Sequence, residues 1–377
     1  MSKFKVLTVV GTRPELIRLA RVIPCLDAHT TQVLVHTGQN YDYELNEIFF
    51  TDLALRKPDY FLGAAGASAV ATIGNILIKI DDVLEQEKPD AFLVLGDTNS
   101  CVAVIAAKRR KIPVFHMEAG NRCFDERVPE EINRKLVDHL SDMNLPYSQR
   151  ARELLLREGL PPDRIVVTGS PMYEVIHHHL AKARGSDVAA RLNLKSGEYF
   201  IVSAHREENV DSPDRLRALL ETLNAVARTY GQRIVMSTHP RTRQRMEALS
   251  APLDALVELH KPFSFTEYLA LQMNARAVLS DSGTITEESS ILGFPALNIR
   301  DTHERPEGME EAAVMMTGLN AASVLPALEV LVTQSRSAGH AIRTPPDYSV
   351  PNVSEKVLRI ILSYTGYINR VVWRKHA

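Results

Sequence analysis

The chain has 377 residues, of which 45% are hydrophobic and 24% are charged, and its formal net charge is −2. This length exceeds that of a single hydrophobic core and predicts two domains. Because the sequence has no basic arms, no long blocks of like charge and no apolar run of transmembrane length, we expect neither nucleic acid nor membrane as a partner.

Short β-branched segments alternate with helical patterns along the chain. In the first half, strands are predicted at residues 5–10, 32–37, 91–95, 113–117, 143–146 and 165–168, and helices at 15–28, 69–87 and 100–111. In the second half, a helix at 173–184 precedes strands at 199–204, 233–238, 257–260, 277–280, 296–299 and 313–316, and a helical pattern covers 353–373.

The fold class predicted from this alternation is α/β. Apolar strands with little polar alternation, each followed by a helix, indicate parallel sheets covered on both faces. We expect two doubly wound Rossmann-like domains that face a cleft, the first over residues 1–170 and the second over 171–355. A C-terminal helix over 356–377 is expected to pack back on the first domain. In such sheets, ligands bind beyond the carboxyl ends of the strands.

The cysteines and the N-terminal residues indicate the cellular compartment of the protein. Cys25, Cys101 and Cys123 lack the spacing of metal ligands and cannot all pair, which is typical of reduced thiols. The sequence runs from Met1 almost directly into a strand pattern, so no signal peptide is expected. We therefore expect a cytoplasmic protein without a metal site.

A phosphate-binding turn is predicted where a buried strand of the second half ends. Ser282, Gly283 and Thr284 form a small-residue turn before a helix, whose N-terminal N–H groups and dipole favour an anion. Glu288 lies further into the helix, where it can accept hydrogen bonds from ribose hydroxyls, and Arg305 can return from the next loop to the same phosphate. Helix capping alone would also explain Ser282. The preceding strand and the following Arg-Pro loop favour nucleotide binding.

Charged side chains also follow the strands of the first half. Arg13 stands at a helix start with Arg18 one turn on, which favours an anion site. Asp97 and Glu118 follow two strands, and Glu130 begins a helix. A single carboxylate at such a position is usually only a helix-start charge. Three of them in one domain favour acid–base chemistry.

The combination of carboxylates and an anion site suggests a reaction type. Carboxylates that face each other in a partly dry cleft raise one another's pKa, which gives one ionised base and one neutral acid. Such a pair suits removal of a weakly acidic C–H proton as a diphosphate departs, and the groups that would stabilise the diphosphate are Arg13, His205, Ser282, Gly283 and Arg305. The sequence has neither a dinucleotide fingerprint nor a P-loop, so hydride transfer and phosphoryl transfer are disfavoured and no cofactor is expected.

The motifs of the whole chain, taken in order, resemble those of the non-hydrolysing UDP-N-acetylglucosamine 2-epimerase family. They are Gly11-Thr-Arg-Pro-Glu15, Gly96-Asp97-Thr98, His116-Met-Glu118-Ala-Gly120, Pro129-Glu130-Glu131-Ile-Asn133-Arg134, His205-Arg206-Glu-Glu208-Asn209, Asp281-Ser-Gly283 and Glu304-Arg-Pro-Glu307. The resemblance implies a two-domain glycosyltransferase-B architecture, a homodimer, and activity without NAD or metal. It also implies anti elimination of UDP to a 2-acetamidoglycal, followed by re-addition with protonation of C2 from the other face.

The resemblance assigns roles to individual residues. Asp97, Glu118 and Glu130 match the acid–base carboxylates, and His205 matches a catalytic histidine that contacts the diphosphate. Tyr268 matches an aromatic residue near the uracil ring, although Phe263 or Phe265 could take that role. The positions expected to bind UDP are Arg13, Arg18, Gln39, His205, Arg206, His239, Tyr268, Ser282, Gly283, Glu288 and Arg305.

Departures from the family pattern suggest a particular sugar. Arg18 replaces the usual lysine, and residues 121–128 replace a longer Leu-Arg-Thr-Gly-type loop between Glu118 and Glu130. These variants resemble the branch that makes UDP-N-acetyl-L-fucosamine from its 6-deoxy-L-talose epimer for capsule or O-antigen synthesis. Because the altered loop joins two catalytic carboxylates, a changed sugar is physically reasonable. The alternative substrate is UDP-N-acetylglucosamine, which would give UDP-N-acetylmannosamine.

Three other functions compete with this interpretation. A glycosyltransferase of the same architecture would need an acceptor site and typically a single base, so three acids in one domain argue against it. A hydrolysing epimerase usually comes fused to a kinase domain, which is not expected from this sequence. A non-catalytic nucleotide-sugar sensor would retain Arg13 and Ser282 but would have no use for all three carboxylates.

Overall fold

The computed structural model of the chain describes residues 4–39, 43–249, 251–302, 305–334 and 343–375, apart from the side chains of residues 43–47, 207 and 241. Glu304 of the last motif and residues 376 and 377 of the predicted C-terminal helix lie outside this set. The chain forms two units, Met1–Val175 with Ser349–Ala377, and Ile176–Tyr348.

The first unit is built on a parallel sheet in the spatial order β3-β2-β1-β4-β5-β6. Its strands are β1 (Lys5–Val10), β2 (Thr31–His36), β3 (Tyr60–Phe61), β4 (Ala91–Leu95), β5 (Val114–Met117) and β6 (Met143–Leu145). The helices up to the unit boundary are α1 (Arg13–Leu19), α2 (Val22–His29), α3 (Tyr43–Asp52), α4 (Ala69–Glu87), α5 (Val104–Arg109), α6 (Pro129–Leu140), α7 (Gln149–Arg157) and α8 (Met172–Arg184), which spans that boundary. Short 3-10 turns lie at Asn99–Ala103 and Pro162–Arg164.

The second unit repeats this plan with the order β12-β11-β10-β7-β8-β9. Its strands are β7 (Tyr199–Ser203), β8 (Arg233–Ser237), β9 (Val257–His260), β10 (Ala277–Ser280), β11 (Ala296–Asn298) and β12 (Met315–Met316). Its helices are α9 (Val188–Arg191), α10 (Glu207–Val210), α11 (Pro213–Tyr230), α12 (Pro240–Leu249), α13 (Phe265–Asn274), α14 (Thr284–Leu292), α15 (Pro306–Glu310) and α16 (Ala321–Thr333), with a 3-10 turn at Pro346–Tyr348. The last helix of the chain, α17 (Val353–Val371), belongs to the first unit.

The central strands are buried because helices cover both faces of each sheet. All five residues of β4 are buried, and Phe92 and Val94 pack with Ile76 and Ile80, which recur at helical spacing on α4. The strand order changes direction between β1 and β4 and between β7 and β10, where loops diverge and ligands bind in such folds. The predicted α/β class with two doubly wound sheets is confirmed.

Two predicted elements were wrong, and each has a proline nearby. The single helix expected over 15–28 is two helices, α1 and α2. Pro24 lacks an N–H, and in a continuous helix its ring would clash with the carbonyl of Ala20, so the first helix ends there and Pro24 stands in the first turn of α2. The strand expected over 165–168 is reduced to one bridge between Asn144 and Ile165. Thr168 N donates to Pro146 O at 3.0 Å, but Pro146 has no N–H with which to continue the pairing.

Other differences are smaller. The two-residue edge strand β3 was not predicted, and the helix expected over 100–111 begins as the 3-10 turn Asn99–Ala103 before α5.

The C-terminal helix α17 packs against α2 within the first unit. Ser354 N donates to Glu174 Oε2 at 2.9 Å, and Lys356 Nζ donates to Thr168 O at 2.6 Å. In the part of the chain that the structure describes, no helix has both the length and the apolar character needed to cross a membrane.

Candidate active site

The loop after β1 is packed so closely that only glycine fits at its first position. A Cβ atom on Gly11 would lie 2.0 Å from Ser100 Oγ and 2.2 Å from Thr37 Oγ1. Both hydroxyls are buried and lie 3.0 Å from each other. The Gln39 amide borders the same position, with its Cδ 3.3 Å from that Cβ. Among the described residues, no donor reaches the buried Oε1 of Gln39, so this predicted UDP ligand offers an acceptor beside the loop.

Glu15 ties the loops after β1 and β4 together. Its Oε2 accepts from the N–H groups of Gly11 at 2.8 Å and Thr12 at 2.7 Å, and its Oε1 accepts from Thr98 Oγ1 at 2.8 Å. Burial raises the pKa of Glu15 to about 7, although these hydrogen bonds act to lower it. Glu15 was not among the predicted site residues, yet the Thr12-x-x-Glu15 spacing is the signature of a capping box.

Glu118 adopts an unusual backbone conformation directly after β5. Its φ of 66° lies in the left-handed region, which costs energy for a residue other than glycine and is typical of active sites. Its Oε2 pairs with Nη1 of Arg18, and Asn121 Nδ2 donates to its Oε1 at 3.2 Å. The side chains of Arg18 and Glu118 are only 11% and 6% exposed. Arg18 therefore contacts a candidate catalytic carboxylate, and its role toward UDP stays a prediction.

Asp97 lies beside Glu118 at the carboxyl ends of β4 and β5. A Cβ atom on the neighbouring Gly96 would lie 3.8 Å from Glu118 Oε2. Arg134 Nε donates to Asp97 Oδ2 at 2.7 Å. Glu130, the third predicted carboxylate, is half-buried in the first turn of α6. In the structure an arginine contacts each of Asp97 and Glu118, and the acid–base pairing of these carboxylates stays a prediction.

A buried polar network lies behind the two carboxylate loops. His116 Nε2 lies 2.8 Å from Gly96 O, and His116 Nδ1 lies 2.9 Å from Asp138 Oδ1. Asp138 Oδ2 also accepts from Gly120 N at 3.1 Å and from Arg122 Nη1 at 2.7 Å. Burial acts to raise the pKa of Asp138, but His116 and Arg122 outweigh it and hold the pKa below its ordinary value. This network fixes the glycines that precede Asp97 and follow Glu118.

In the second unit, Asp281 joins the loops at the corresponding change of strand direction. Its buried carboxylate accepts from His205 N at 3.0 Å, Arg206 N at 3.0 Å and Asn209 Nδ2 at 3.1 Å. The His205 ring is 38% exposed, and its Nδ1 lies 3.3 Å from Asp281 Oδ1. Asp281 therefore orients the loop that carries a predicted catalytic residue. The sequence contained Asp281 within a motif but gave no signal of this backbone role.

The turn after β10 leads into the N-terminus of α14, and anion binding there stays a prediction. Gly283 precedes α14, and Ser282 Oγ lies 2.9 Å from Thr284 Oγ1 and accepts from Thr284 N at 3.3 Å. Further along, Glu288 Oε2 accepts from Gln272 Nε2 at 2.7 Å. The ribose contact expected of Glu288 stays a prediction.

The other residues predicted to bind UDP lie in both polar and apolar environments. Arg305 is buried and donates from Nε to Glu287 Oε2 at 3.4 Å. The Tyr268 side chain packs on an apolar cluster, and burial raises the pKa of its hydroxyl. His239 follows β8, the neighbour of β7. In the first unit, the Arg13 guanidinium lies 5.4 Å from the centroid of the Phe49 ring. UDP binding by these residues stays a prediction.

Known proteins with related sequences and structures place these motifs in context. The model of a family described as UDP-N-acetylglucosamine 2-epimerase matches residues 26–362. The fold is similar to that of a UDP-N-acetylglucosamine 2-epimerase from Rickettsia bellii, with a TM-score of 0.92 and 50% identity, covering 99% of this chain and 100% of that one. It is also similar to the Methanocaldococcus jannaschii UDP-GlcNAc 2-epimerase in complex with UDP-GlcNAc and UDP, with a TM-score of 0.88 and 34% identity, covering 96% of this chain and 100% of that one.

Another relative is named for a different UDP-sugar. The UDP-2,3-diacetamido-2,3-dideoxy-D-glucuronate 2-epimerase of Pseudomonas aeruginosa is 35% identical over 320 residues, which cover 83% of this chain and 88% of that protein. Within the residues described for this chain, no group of three or more His, Cys, Asp or Glu side chains is arranged to hold a metal ion.

Proposed function

Because this chain belongs to the non-hydrolysing UDP-N-acetylglucosamine 2-epimerase family and is therefore an isomerase, we propose that it inverts C2 of a UDP-linked 2-acetamido sugar. Asp97, Glu118 and Glu130 exchange the proton at C2, and the residues predicted to bind UDP hold the leaving group. The active form is a cytoplasmic homodimer, which the family resemblance supports.

The reaction proceeds by elimination and re-addition. A carboxylate removes the proton from C2 while the bond between C1 and the UDP oxygen breaks, which leaves a 2-acetamidoglycal and UDP. The UDP oxygen then adds back to C1 as a protonated carboxyl group delivers a proton to the opposite face of C2. Asp97, Glu118 and Glu130 are the candidates for these two roles. Proton and UDP both return to the sugar, so the net change is inversion at C2.

The observation that carries the proposal is the proximity of Asp97 and Glu118 at the carboxyl ends of adjacent strands, each fixed by an arginine. Charge-assisted contacts hold an acid or base in one orientation, which is what proton transfer at a single carbon requires. A glycosyltransferase or a nucleotide-sugar sensor has no use for this pair.

Features of the second unit support a role in holding the leaving diphosphate. His205 is oriented by Asp281, and Ser282 and Gly283 precede the N-terminus of α14. N–H groups and a helix dipole stabilise the charge that develops on UDP as the C1–O bond breaks. Within the proposal, Arg13, Gln39 and the other predicted ligands complete the UDP contacts.

The proposed sugar is UDP-2-acetamido-2,6-dideoxy-L-talose, converted to UDP-N-acetyl-L-fucosamine for capsule or O-antigen synthesis. The support is the loop over residues 121–128, which resembles that branch. The second candidate is UDP-N-acetylglucosamine, which is favoured by the name of the Rickettsia bellii relative at 50% identity.

A proton NMR assay in D₂O tests the function and the sugar together. UDP-N-acetyl-L-fucosamine and UDP-N-acetylglucosamine are offered separately, and deuterium at C2 is followed with formation of the epimer. We expect exchange and a talo product from the fuco compound alone. Exchange only in the gluco compound would replace the proposed sugar by the second candidate. Absence of exchange in every UDP-2-acetamido sugar offered would refute the epimerase function.

A further inference from the structure

Glu131 is a fully buried carboxylate that the elimination chemistry leaves unused. It lies on α6, where its Oε2 accepts from Cys123 N at 3.2 Å and its Oε1 accepts from Phe124 N at 3.2 Å. Its Oε2 also accepts from Arg134 Nη1 at 2.8 Å. Burial acts to raise the pKa of Glu131, but Arg134 and the N–H of Cys123 outweigh it and hold the pKa below its ordinary value. The carboxylate therefore stays charged near neutral pH.

Arg134 connects Glu131 to the candidate catalytic residue Asp97. While Nη1 donates to Glu131, Nε of the same guanidinium donates to Asp97 Oδ2 at 2.7 Å. The Arg134 side chain is only 4% exposed, and these two carboxylates are among the groups that hold it, together with Cys123 Sγ, to which Nη1 donates at 3.4 Å. A planar guanidinium that bridges two carboxylates transmits a displacement of one to the other, because its donors are held in a fixed fork.

The other end of this chain of contacts is the loop over residues 121–128. Phe124 has a φ of 56°, a strained value for a residue other than glycine, and its side chain is 76% exposed. The N–H groups of Phe124 and of the preceding Cys123 both donate to Glu131, and these bonds help to hold the loop backbone in this conformation. The loop thus presents an apolar ring on a backbone clamped by Glu131, between two candidate catalytic carboxylates.

We propose that Glu131 and Arg134 are positioning residues that couple the 121–128 loop to Asp97. The inference rests on the proposed function, because it takes Asp97 as an acid–base group. A sugar that seats against the loop leaves Asp97 aligned with C2, whereas a sugar that displaces the loop moves Glu131, Arg134 and Asp97 together. Discrimination between sugars would then be expressed in kcat as well as in binding.

The chain offers a matched control for this relay. Glu126 of the same loop pairs with Lys135 of the same helix, but these side chains are 69% and 46% exposed and no described contact continues from them to Asp97. Exposed pairs of this kind contribute little to stability. Lys135→Gln, which removes this pair and leaves every residue of the loop unchanged, should therefore keep kcat, KM and UDP affinity within about twofold of the parent values.

The test compares Glu131→Gln, Arg134→Lys and the double variant with this control. In Glu131→Gln an amide NH₂ would face donors, and in Arg134→Lys a single ammonium replaces the fork. Misplacement of a catalytic group by about 1 Å can lower turnover 100-fold, so we expect kcat to fall by about that factor in each single variant. UDP affinity should stay within about twofold, because UDP is held mainly by other residues. The double variant should lose little more than either single variant, since both break one connection.

The outcomes separate the relay from the function on which it rests. If the parent enzyme is active and both single variants keep kcat within about twofold, the relay is refuted while the epimerase function stands. Losses that multiply in the double variant would also refute it, because they would show independent roles. If Glu131→Gln does not fold, Arg134→Lys decides the question alone. A parent that exchanges no C2 proton refutes the function and the relay together.

Discussion

Gly11→Ala is the substitution whose effect the structure determines most directly. The new Cβ would lie 2.0 Å from Ser100 Oγ and 2.2 Å from Thr37 Oγ1, far inside van der Waals contact. Both obstacles are short buried side chains that bond each other, so neither can rotate away without losing that hydrogen bond. The backbone of the loop must move instead, and overpacking of this kind costs about 1–3 kcal/mol.

Gly74→Ala, in the same unit, is expected to have the opposite effect on stability. Gly74 lies inside α4, and its Cβ would meet no atom within 4 Å. Replacing glycine by alanine in a helix interior stabilises by roughly 0.5–1 kcal/mol, because alanine loses less backbone entropy.

Thermal unfolding of the parent and the two variants measures both effects. For a unit of this size, 1 kcal/mol shifts Tm by about 2–4 °C, so Gly11→Ala should lower Tm by roughly 2–12 °C and Gly74→Ala should raise it slightly. The variant at Gly11 should also lose turnover, since Gln39 and the start of α1 adjoin the displaced loop. An unchanged or higher Tm for Gly11→Ala, or equal losses for both variants, would refute this reasoning.

Further predictions concern charge. Asp97→Asn should retain UDP binding in calorimetry and lower turnover by about 10²–10⁴-fold, because an amide cannot exchange a proton with C2; unchanged turnover would remove Asp97 from catalysis. Asp281→Asn should destabilise the second unit by roughly 1.5–3 kcal/mol in urea unfolding and weaken UDP binding, since a neutral amide accepts poorly from three donors; equal stability would contradict the role given to Asp281. Burial lowers the pKa of His36 from 6.5 to about 4, so the unfolded chain takes up a proton on this ring at a higher pH than the folded chain does. The free energy of unfolding should therefore fall as pH is lowered from 6.5 toward 4, and it should not depend on His36 above pH 6.5. In His36→Asn the amide oxygen can replace Nδ1 as acceptor from Gly38 N, and the urea midpoint of unfolding should depend less on pH between 6.5 and 4. An unchanged pH dependence would contradict this role of His36.

The sequence by itself determined the alternation of strands and helices, the doubly wound class, the family and the enzyme class. These features are encoded locally, because hydrophobic period and turn chemistry act over a few residues. The same local rules placed Asp97 and Glu118 after strands, where parallel sheets collect their functional groups. Two local signals were present but did not enter the predicted elements, since Pro24 and Pro146 mark where a helix and a strand pairing stop.

Only the tertiary structure decided which charges meet. Arg18 and Glu118 are 100 residues apart in sequence, and His205 and Asp281 are 76 apart. Even Arg134, which is 37 residues from Asp97, reaches it only because α6 packs against the 3-10 turn Asn99–Ala103 that follows β4. The hydrophobic period of a strand shows that the strand is buried but not which strands lie beside it. The residue that pairs with a carboxylate depends on the strand order, which no local pattern contains. The arginines that orient the candidate catalytic groups therefore become visible only when the strands and helices of the first unit are assembled.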